Sequence, residues 1–275
     1  MKAISRALAD AARQLEVNSD TARLDSELLM AEALHIDRDK LILSPPNREV
    51  PERFWAMVER RKAGEPVAYI TGRRAFWNIE LHVGPGVLVP RPDSEVLIAS
   101  AIEHFDGGDG PLRILDLGTG PGTLLLAALD VWPGATGMGI DLSRQALSYA
   151  SANARRLEFE NRVKWVQADW AAGLMEQFDL ILCNPPYVRD DADLGPGVRE
   201  YEPDEALFAG TEGLDAYRAL APQLPHRLRK DGLAVVAIGH DQAASVTELL
   251  ARDGLQATVA QDLAGLDRAI LLTWM

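Results

Sequence analysis

The chain has 275 residues, 47% of them hydrophobic, a single cysteine and a formal net charge of −13. One cysteine excludes an internal disulfide and a cysteine-rich metal site, and no run of about 18 apolar residues is present to cross a membrane. Residues 1–75 hold 13 Lys/Arg and 12 Asp/Glu, whereas the other 200 hold 15 and 29, so the larger part is ill suited to a polyanion whose phosphates must be neutralised.

Met1-Lys2-Ala3-Ile4-Ser5-Arg6 opens an amphipathic helix over residues 2–16 rather than a signal peptide, with Ile4, Leu8, Ala11, Ala12 and Leu15 at helical spacing. A cytoplasmic protein is expected. A second helix follows Asn18-Ser19-Asp20, which offers N-caps, and carries Leu24, Leu28, Leu29 and Ala31. A third segment runs from Asp39 to Leu43 and stops at Ser44-Pro45-Pro46. A fourth starts with Pro51, passes through Phe54, Trp55 and Val58, and ends at Gly64. Together they make a small helical bundle, on which Arg60-Arg61-Lys62 reads as a solvated face.

From residue 75 the period changes. Trp77, Ile79, Leu81 and Val83 alternate with Asn78, Glu80 and His82, Gly84-Pro85-Gly86 supplies a turn, and Val87-Leu88-Val89 returns. This predicts a connecting β-hairpin over 75–89. In the following Pro90-Arg91-Pro92-Asp93-Ser94-Glu95, Asp93 is placed to cap a helix reaching Phe105. Beyond 112, strands (112–117, 135–140, 163–167, 178–183, 232–239, 255–260, 268–274) alternate with helices (122–131, 143–156, 213–229, 241–253). That alternation implies a parallel α/β sheet covered on both faces. The domains expected are 1–74, helical; 75–89, the hairpin; and 90–275, catalytic. The Asp-, Gly- and Pro-rich stretch 188–212 is a long loop of the functional kind.

Chemistry gathers at the carboxyl ends of the first four of these strands. Asp116-Leu117 leads into Gly118-Thr119-Gly120-Pro121-Gly122, whose glycines allow a tight turn and close approach to a ligand. The pattern is not the G-x-G-x-x-G of dinucleotide sites. Asp141, about twenty residues on, is placed to accept ribose hydroxyls. Asp169-Trp170 ends the third strand with a carboxylate for an exocyclic amine and an indole to flank an adenine. The fourth, Phe178 to Cys183, leads into Asn184-Pro185-Pro186-Tyr187. Two prolines make a stiff corner there. The Asn184 amide and backbone carbonyls can accept the N–H bonds of a planar NH2 group while Tyr187 offers a flat face. Cys183 sits within the strand and reads as a buried side chain, and the five histidines lack metal-ligand spacing, so no metal is expected.

These segments resemble class I S-adenosylmethionine-dependent methyltransferases. More narrowly, the chain is similar to the protein-(glutamine-N5) methyltransferases that modify peptide chain release factors (the PrmC/HemK family). Ala22-Arg23-Leu24-Asp25, Gly64-Glu65-Pro66-Val67-Ala68-Tyr69-Ile70-Thr71-Gly72, Phe76-Trp77, Pro90 to Glu95, Asn184 to Tyr187, Tyr201-Glu202-Pro203 and Gly232-Leu233 carry the resemblance. It implies a Rossmann-like seven-stranded methyltransferase sheet. Gly118, Thr119, Gly120, Pro121, Gly122, Asp141, Asp169, Trp170 and Asn184 would bind S-adenosylmethionine, and S-adenosylhomocysteine would be the product. Asn184, Pro185, Pro186 and Tyr187 would hold the target glutamine amide. The helical domain would dock a class I release factor and present its Gly-Gly-Gln loop to a monomeric enzyme acting on neither nucleic acid nor membrane. Ala237 departs from the Glu usual before Ile-Gly, and Asp93-Ser94-Glu95 stands for the commoner Glu-Thr-Glu. An adenine-N6 methyltransferase and a non-catalytic binding module of the same fold stand as alternatives.

Overall fold

Ile4, Ala7, Leu8, Ala11 and Leu15 share one helical face, and they are the buried side of α1 (Ala3–Leu15). The computed structural model describes residues 3–195 and 197–275; Met1 and Lys2, at the head of the expected first helix, lie outside them. The chain divides into two units, Met1–Arg73 with Asp193–Glu202, and Arg74–Ala192 with Pro203–Met275. The stretch 193–202, expected among catalytic-domain residues, is thus grouped with the helical unit.

In the helical unit, α1 is followed by α2 (Ala22–Leu34), α3 (Arg38–Leu43), α4 (Glu52–Lys62) and α5 (Val67–Thr71). Leu29, Met30, Leu41, Phe54 and Val58 join the α1 face in its core. The expected stripe on α2 is only half right: Leu24 is exposed and Leu28 half-buried. The reason is that α2 touches α1, α3, α4 and α5, so burial extends around it and takes in Asp25, Ser26 and Glu27.

Those buried acids reorganise the neighbouring polar residues. Thr21, not Asn18, Ser19 or Asp20, is the N-cap, and its side chain makes no capping bond. Ser19 Oγ and Thr21 Oγ1 instead donate to Asp25 at 2.8 and 3.1 Å, and Asn18 Nδ2 donates to the Lys62 carbonyl at 2.7 Å. Arg61, expected to be solvated, donates from Nε to Asp25 at 2.7 Å with its side chain only 14% exposed. A buried carboxylate needs such a partner.

In the second unit, β1 (Arg73–Phe76) and β2 (Ile79–His82) form the hairpin. Its turn is at Trp77-Asn78, with Trp77 at φ 53°, not at Gly84-Pro85-Gly86. A two-residue loop closes the nearest strands first. Val87 and Val89 are buried but form no strand. The expected Asp93 cap is also absent: the chain makes a 3-10 turn over Pro92–Ser94 before α6 (Glu95–His104), and Asp93 pairs with Arg268 at 3.0 Å.

The remaining elements are β3 (Arg113–Leu117), α7 (Thr123–Val131), β4 (Thr136–Asp141), α8 (Arg144–Arg156), β5 (Val163–Gln167), β6 (Phe178–Cys183), α9 (Val198–Tyr201, grouped with the helical unit), α10 (Asp215–Leu220), α11 (Leu224–Arg227), β7 (Leu228–Ala237), α12 (Ala243–Leu250), β8 (Leu255–Gln261) and β9 (Asp267–Trp274). The helix expected over 213–229 is broken into α10 and α11, because Pro222 and Pro225 remove N–H donors within it. The sheet runs β5-β4-β3-β6-β7-β9-β8. Its first five strands are parallel, but β9 is antiparallel to both neighbours. The five residues between β8 and β9 suffice for a hairpin and not for a parallel crossover. Ile114, Leu115, Leu117, Leu180 to Cys183 and Leu233 to Val236 are wholly buried, as a sheet covered on both faces requires. No helix among the described residues is long and apolar enough to cross a membrane.

Candidate active site

The strands β3, β4 and β6 deliver their carboxyl ends to one cavity of about 540 Å3. Such a crevice lies at the position where open α/β sheets bind ligands, and its volume suits a small molecule.

The glycine loop forms one wall. Gly118 and Thr119 donate their N–H groups to the Ile140 carbonyl at 2.9 Å, tying the loop to β4. Gly118, Thr119, Gly120 and Pro121 line the cavity. Gly120 has φ 55°, which disfavours any side chain, and a Cβ there would meet no atom within 4 Å. Gly122 is not in the lining: it begins α7, and a Cβ on it would fall 2.8 Å from Leu126 Cδ1.

Asp141 lines the cavity and shapes the loop at once. Its Oδ2 accepts the Gly120 N–H and its Oδ1 the Ser143 N–H, each at 2.8 Å. Burial pushes the carboxyl group up from its ordinary pKa, and the two N–H bonds oppose that rise. Asp116, on β3, is 1% exposed, and its Oδ2 accepts Thr119 Oγ1 at 2.5 Å and Leu125 N at 3.2 Å. Its Oδ1 has no partner among the described residues. Burial, helped by the charge of Asp141, pushes the Asp116 pKa up to about 7 against those two hydrogen bonds. This carboxylate is not among the site residues expected from sequence; its place two residues before Gly118, a charge within an apolar strand, is the available signal.

Asn153, on α8, is likewise not among the expected site residues. It is fully buried; Oδ1 accepts His82 N at 2.7 Å, while Nδ2 donates to His82 O at 3.0 Å and Pro121 O at 2.9 Å. One amide thus holds the glycine loop against β2.

At the end of β5, Ala168 and Trp170 line the cavity whereas Asp169 is exposed and outside the lining. Ala168 N bonds to Asp141 O at 3.3 Å, prolonging the strand by a residue, so 168 and 170 share a face and 169 turns outward. Trp170 has φ 50°, an unusual backbone for a large side chain and one that marks a constrained site.

Of the four residues after β6, Asn184 and Pro186 line the cavity; Pro185 is buried outside the lining. Tyr187 is also outside it and packs on the sheet core. The chain turns there, because Val188 forms a bridge with Phe208, and burial pushes the phenol pKa up. Cys183 is wholly buried, and burial pushes its thiol pKa well above the usual range, which disfavours the thiolate. Asn184 Nδ2 donates to Ser94 Oγ at 3.3 Å. Ser94 lines the cavity between two residues that hold other elements: Asp93 holds Arg268, and Glu95 Oε1 accepts Trp77 N at 3.0 Å.

Residues 6–72 match the family model described as the PrmC N-terminal domain, and residues 109–235 match a methyltransferase domain. The chain is 41% identical over 255 residues to the release factor glutamine methyltransferase of Rhodospirillum rubrum, covering 90% of this chain and 78% of that one. It is 39% identical over 277 residues to the protein of that name from Cereibacter sphaeroides, covering 98% of each. Among solved structures, a methyltransferase from Pyrococcus furiosus aligns with a TM-score of 0.53 at 18% identity, over 81% of this chain and 98% of that one, a likeness of fold.

Proposed function

The chain belongs to the release factor glutamine methyltransferases, and we infer that it methylates the side-chain amide nitrogen (N5) of the glutamine in the Gly-Gly-Gln motif of peptide chain release factors, with S-adenosylmethionine as donor. The observation that carries this reading is one cavity lined by the glycine loop, Asp141, Trp170 and Asn184 together. The residues fit the cofactor. Gly120 leaves open space beside the loop, the indole of Trp170 supplies an apolar plane, and the unpartnered Asp116 Oδ1 suits a ligand carrying N–H donors. Asp141 has lone pairs beyond those engaged by its two N–H partners, and these suit hydroxyl groups. The exposed Asp169 would serve at the rim.

S-adenosylmethionine supplies a methyl group on a sulfonium, and S-adenosylhomocysteine is left. What this chain supplies is alignment and acceptors, and proximity carries much of the barrier reduction. With Asn184 Nδ2 directed to Ser94 Oγ, Oδ1 is the end proposed to receive the target amide, with the Pro185 carbonyl as second acceptor. Both bonds strengthen as the amide nitrogen becomes cationic, so they favour the transition state over the planar ground state. The methylated nitrogen is then acidic enough to lose a proton to water. Asp141 in the wall, and Asp116 when ionised, complement a cationic donor. The helical unit docks the protein substrate.

The test is methylation of purified release factor, with an oligonucleotide duplex as competing substrate and the product peptide located by mass spectrometry. One methyl on the glutamine of Gly-Gly-Gln is expected, and none when that glutamine is replaced by alanine. Methyl transfer to duplex adenine with the release factor unmodified would favour the nucleic-acid alternative.

A further inference from the structure

We propose that Gln242, a residue outside the cavity, is a positioning residue for the Asn184–Tyr187 corner. It lies just before α12, and its amide is engaged at both ends. Nε2 donates to Tyr187 O at 3.1 Å and to Gly213 O at 3.2 Å; Oε1 accepts Gly239 N at 3.0 Å. The orientation of the amide is set by these partners, since two carbonyls require the NH2 end and an N–H requires the oxygen. Tyr217 seals the arrangement. It is fully buried, donates its hydroxyl to Ala237 O at 2.9 Å, and stands 3.4 Å from Gln242 Oε1.

The contact has a physical need behind it. Gly213 has φ 69°, and a Cβ there would fall 2.5 Å from Tyr187 O and 2.9 Å from Gln242 Nε2. The turn at Gly213 is therefore pressed against the Tyr187 carbonyl, and two backbone carbonyls face one another's neighbourhood. A single NH2 group satisfies both, and among the described residues no other side chain is seen to donate to either. On its far side the Tyr187 segment is held by Val188 N to Leu207 O and Ala209 N to Val188 O, both 2.9 Å. Ahead of it, Pro185 and Pro186 have fixed φ, leaving few soft torsions between the Asn184 side chain and the Tyr187 carbonyl. Pinning that carbonyl to the end of β7 thus limits where the acceptors of the corner can stand. A misplacement of about 1 Å at reacting groups can cost on the order of a hundredfold in rate.

This inference rests on the function proposed above, and the experiment separates the two. Gln242→Glu matches Gln242 in size and keeps the acceptor for Gly239 but turns a carboxylate oxygen on two carbonyls; Gln242→Met removes both ends. Each would be measured for single-turnover methylation of release factor at saturating cofactor, for S-adenosylhomocysteine affinity by calorimetry, and for melting temperature. A fall of about tenfold or more in the methylation rate is expected, with cofactor affinity within about twofold and the variant folded at the assay temperature. Parent-like rates in both variants, or rates that fall only as far as cofactor affinity or the folded fraction, overturn the inference. Should the parent enzyme fail to methylate release factor, the proposed function falls while the positioning role is still decided by the crystal structure of Gln242→Glu. A displaced Asn184–Tyr187 main chain supports it, and an unmoved one overturns it. If Gln242→Met does not fold, Gln242→Glu carries the comparison.

Discussion

Asn184 Nδ2 and Ser94 Oγ lie 3.3 Å apart, joining the end of β6 to the 3-10 turn before α6 across 90 residues of sequence. In this arrangement the NH2 end of the Asn184 amide faces the hydroxyl and the oxygen is left for the proposed target nitrogen. Ser94→Ala removes the partner and lets the amide rotate, and a hydrogen bond of this kind contributes about 0.5–1.5 kcal/mol. The methylation rate should fall by up to about tenfold with cofactor affinity unchanged, and Ser94→Thr, which keeps the hydroxyl, should restore most of it. Steady-state kinetics of the two variants side by side decide the matter; equal activity in Ala and Thr would remove Ser94 from the account.

Asn184→Ala deletes the proposed acceptor while Pro185 and Pro186 still shape the corner. By analogy with deletion of one oxyanion-hole donor, kcat should fall by about 10²–10³. Cofactor affinity, measured by calorimetry, should fall less than the rate. Asn184→Asp retains an oxygen and should keep more activity than Asn184→Ala. Normal turnover by Asn184→Ala would reduce the motif to a rigid bend.

Asp141 accepts one backbone N–H from the glycine loop, that of Gly120, and one from Ser143 at the start of α8, as well as making its proposed ligand contact. Asp141→Ala therefore removes a charge-assisted bond, worth about 1.5–3 kcal/mol, and also loosens Gly120 and Ser143. Titration calorimetry with S-adenosylhomocysteine should show weaker binding by at least that amount. Unchanged affinity would assign Asp141 to loop structure alone.

Asp116 should leave a signature in stability against pH. Its folded pKa is pushed up to about 7, chiefly by burial, so the folded protein holds that proton more tightly than the unfolded chain does. Its contribution to stability must then decline as pH rises from about 4 to about 7 and level off above. Asp116→Asn cannot ionise. The melting temperature of Asp116→Asn relative to the parent should climb across that interval, and a difference independent of pH would show that the carboxylate is ionised throughout.

In the helical unit, Arg61 is the guanidinium partner of buried Asp25. Removing one member of such a pair leaves an uncompensated charge and costs about 3–5 kcal/mol; here Ser19 and Thr21 still donate to Asp25, which favours the lower end. Denaturant unfolding of Arg61→Ala should report about 3 kcal/mol, and a loss under about 1 kcal/mol, ordinary for a surface pair, would return Arg61 to the solvated face.

The seven strands of the large sheet, the glycine loop between β3 and α7, and the proline corner after β6 are legible in the amino-acid order alone. Each is a local matter: hydrophobic period, backbone freedom at Gly120 and missing freedom at Pro185 and Pro186 act within a few residues. Contacts made on folding set the rest. They placed Trp170 in the cavity and Asp169 outside it, turned the Tyr187 ring onto the sheet core, and moved the hairpin turn to Trp77-Asn78. They also joined Ser94 to Asn184 and set Gln242 behind Tyr187. Those outcomes depend on partners 55 to 90 positions apart or on which face a strand end presents. A side chain's own neighbourhood in sequence contains no information about which buried carbonyl or carboxylate will need its donor once the chain has closed.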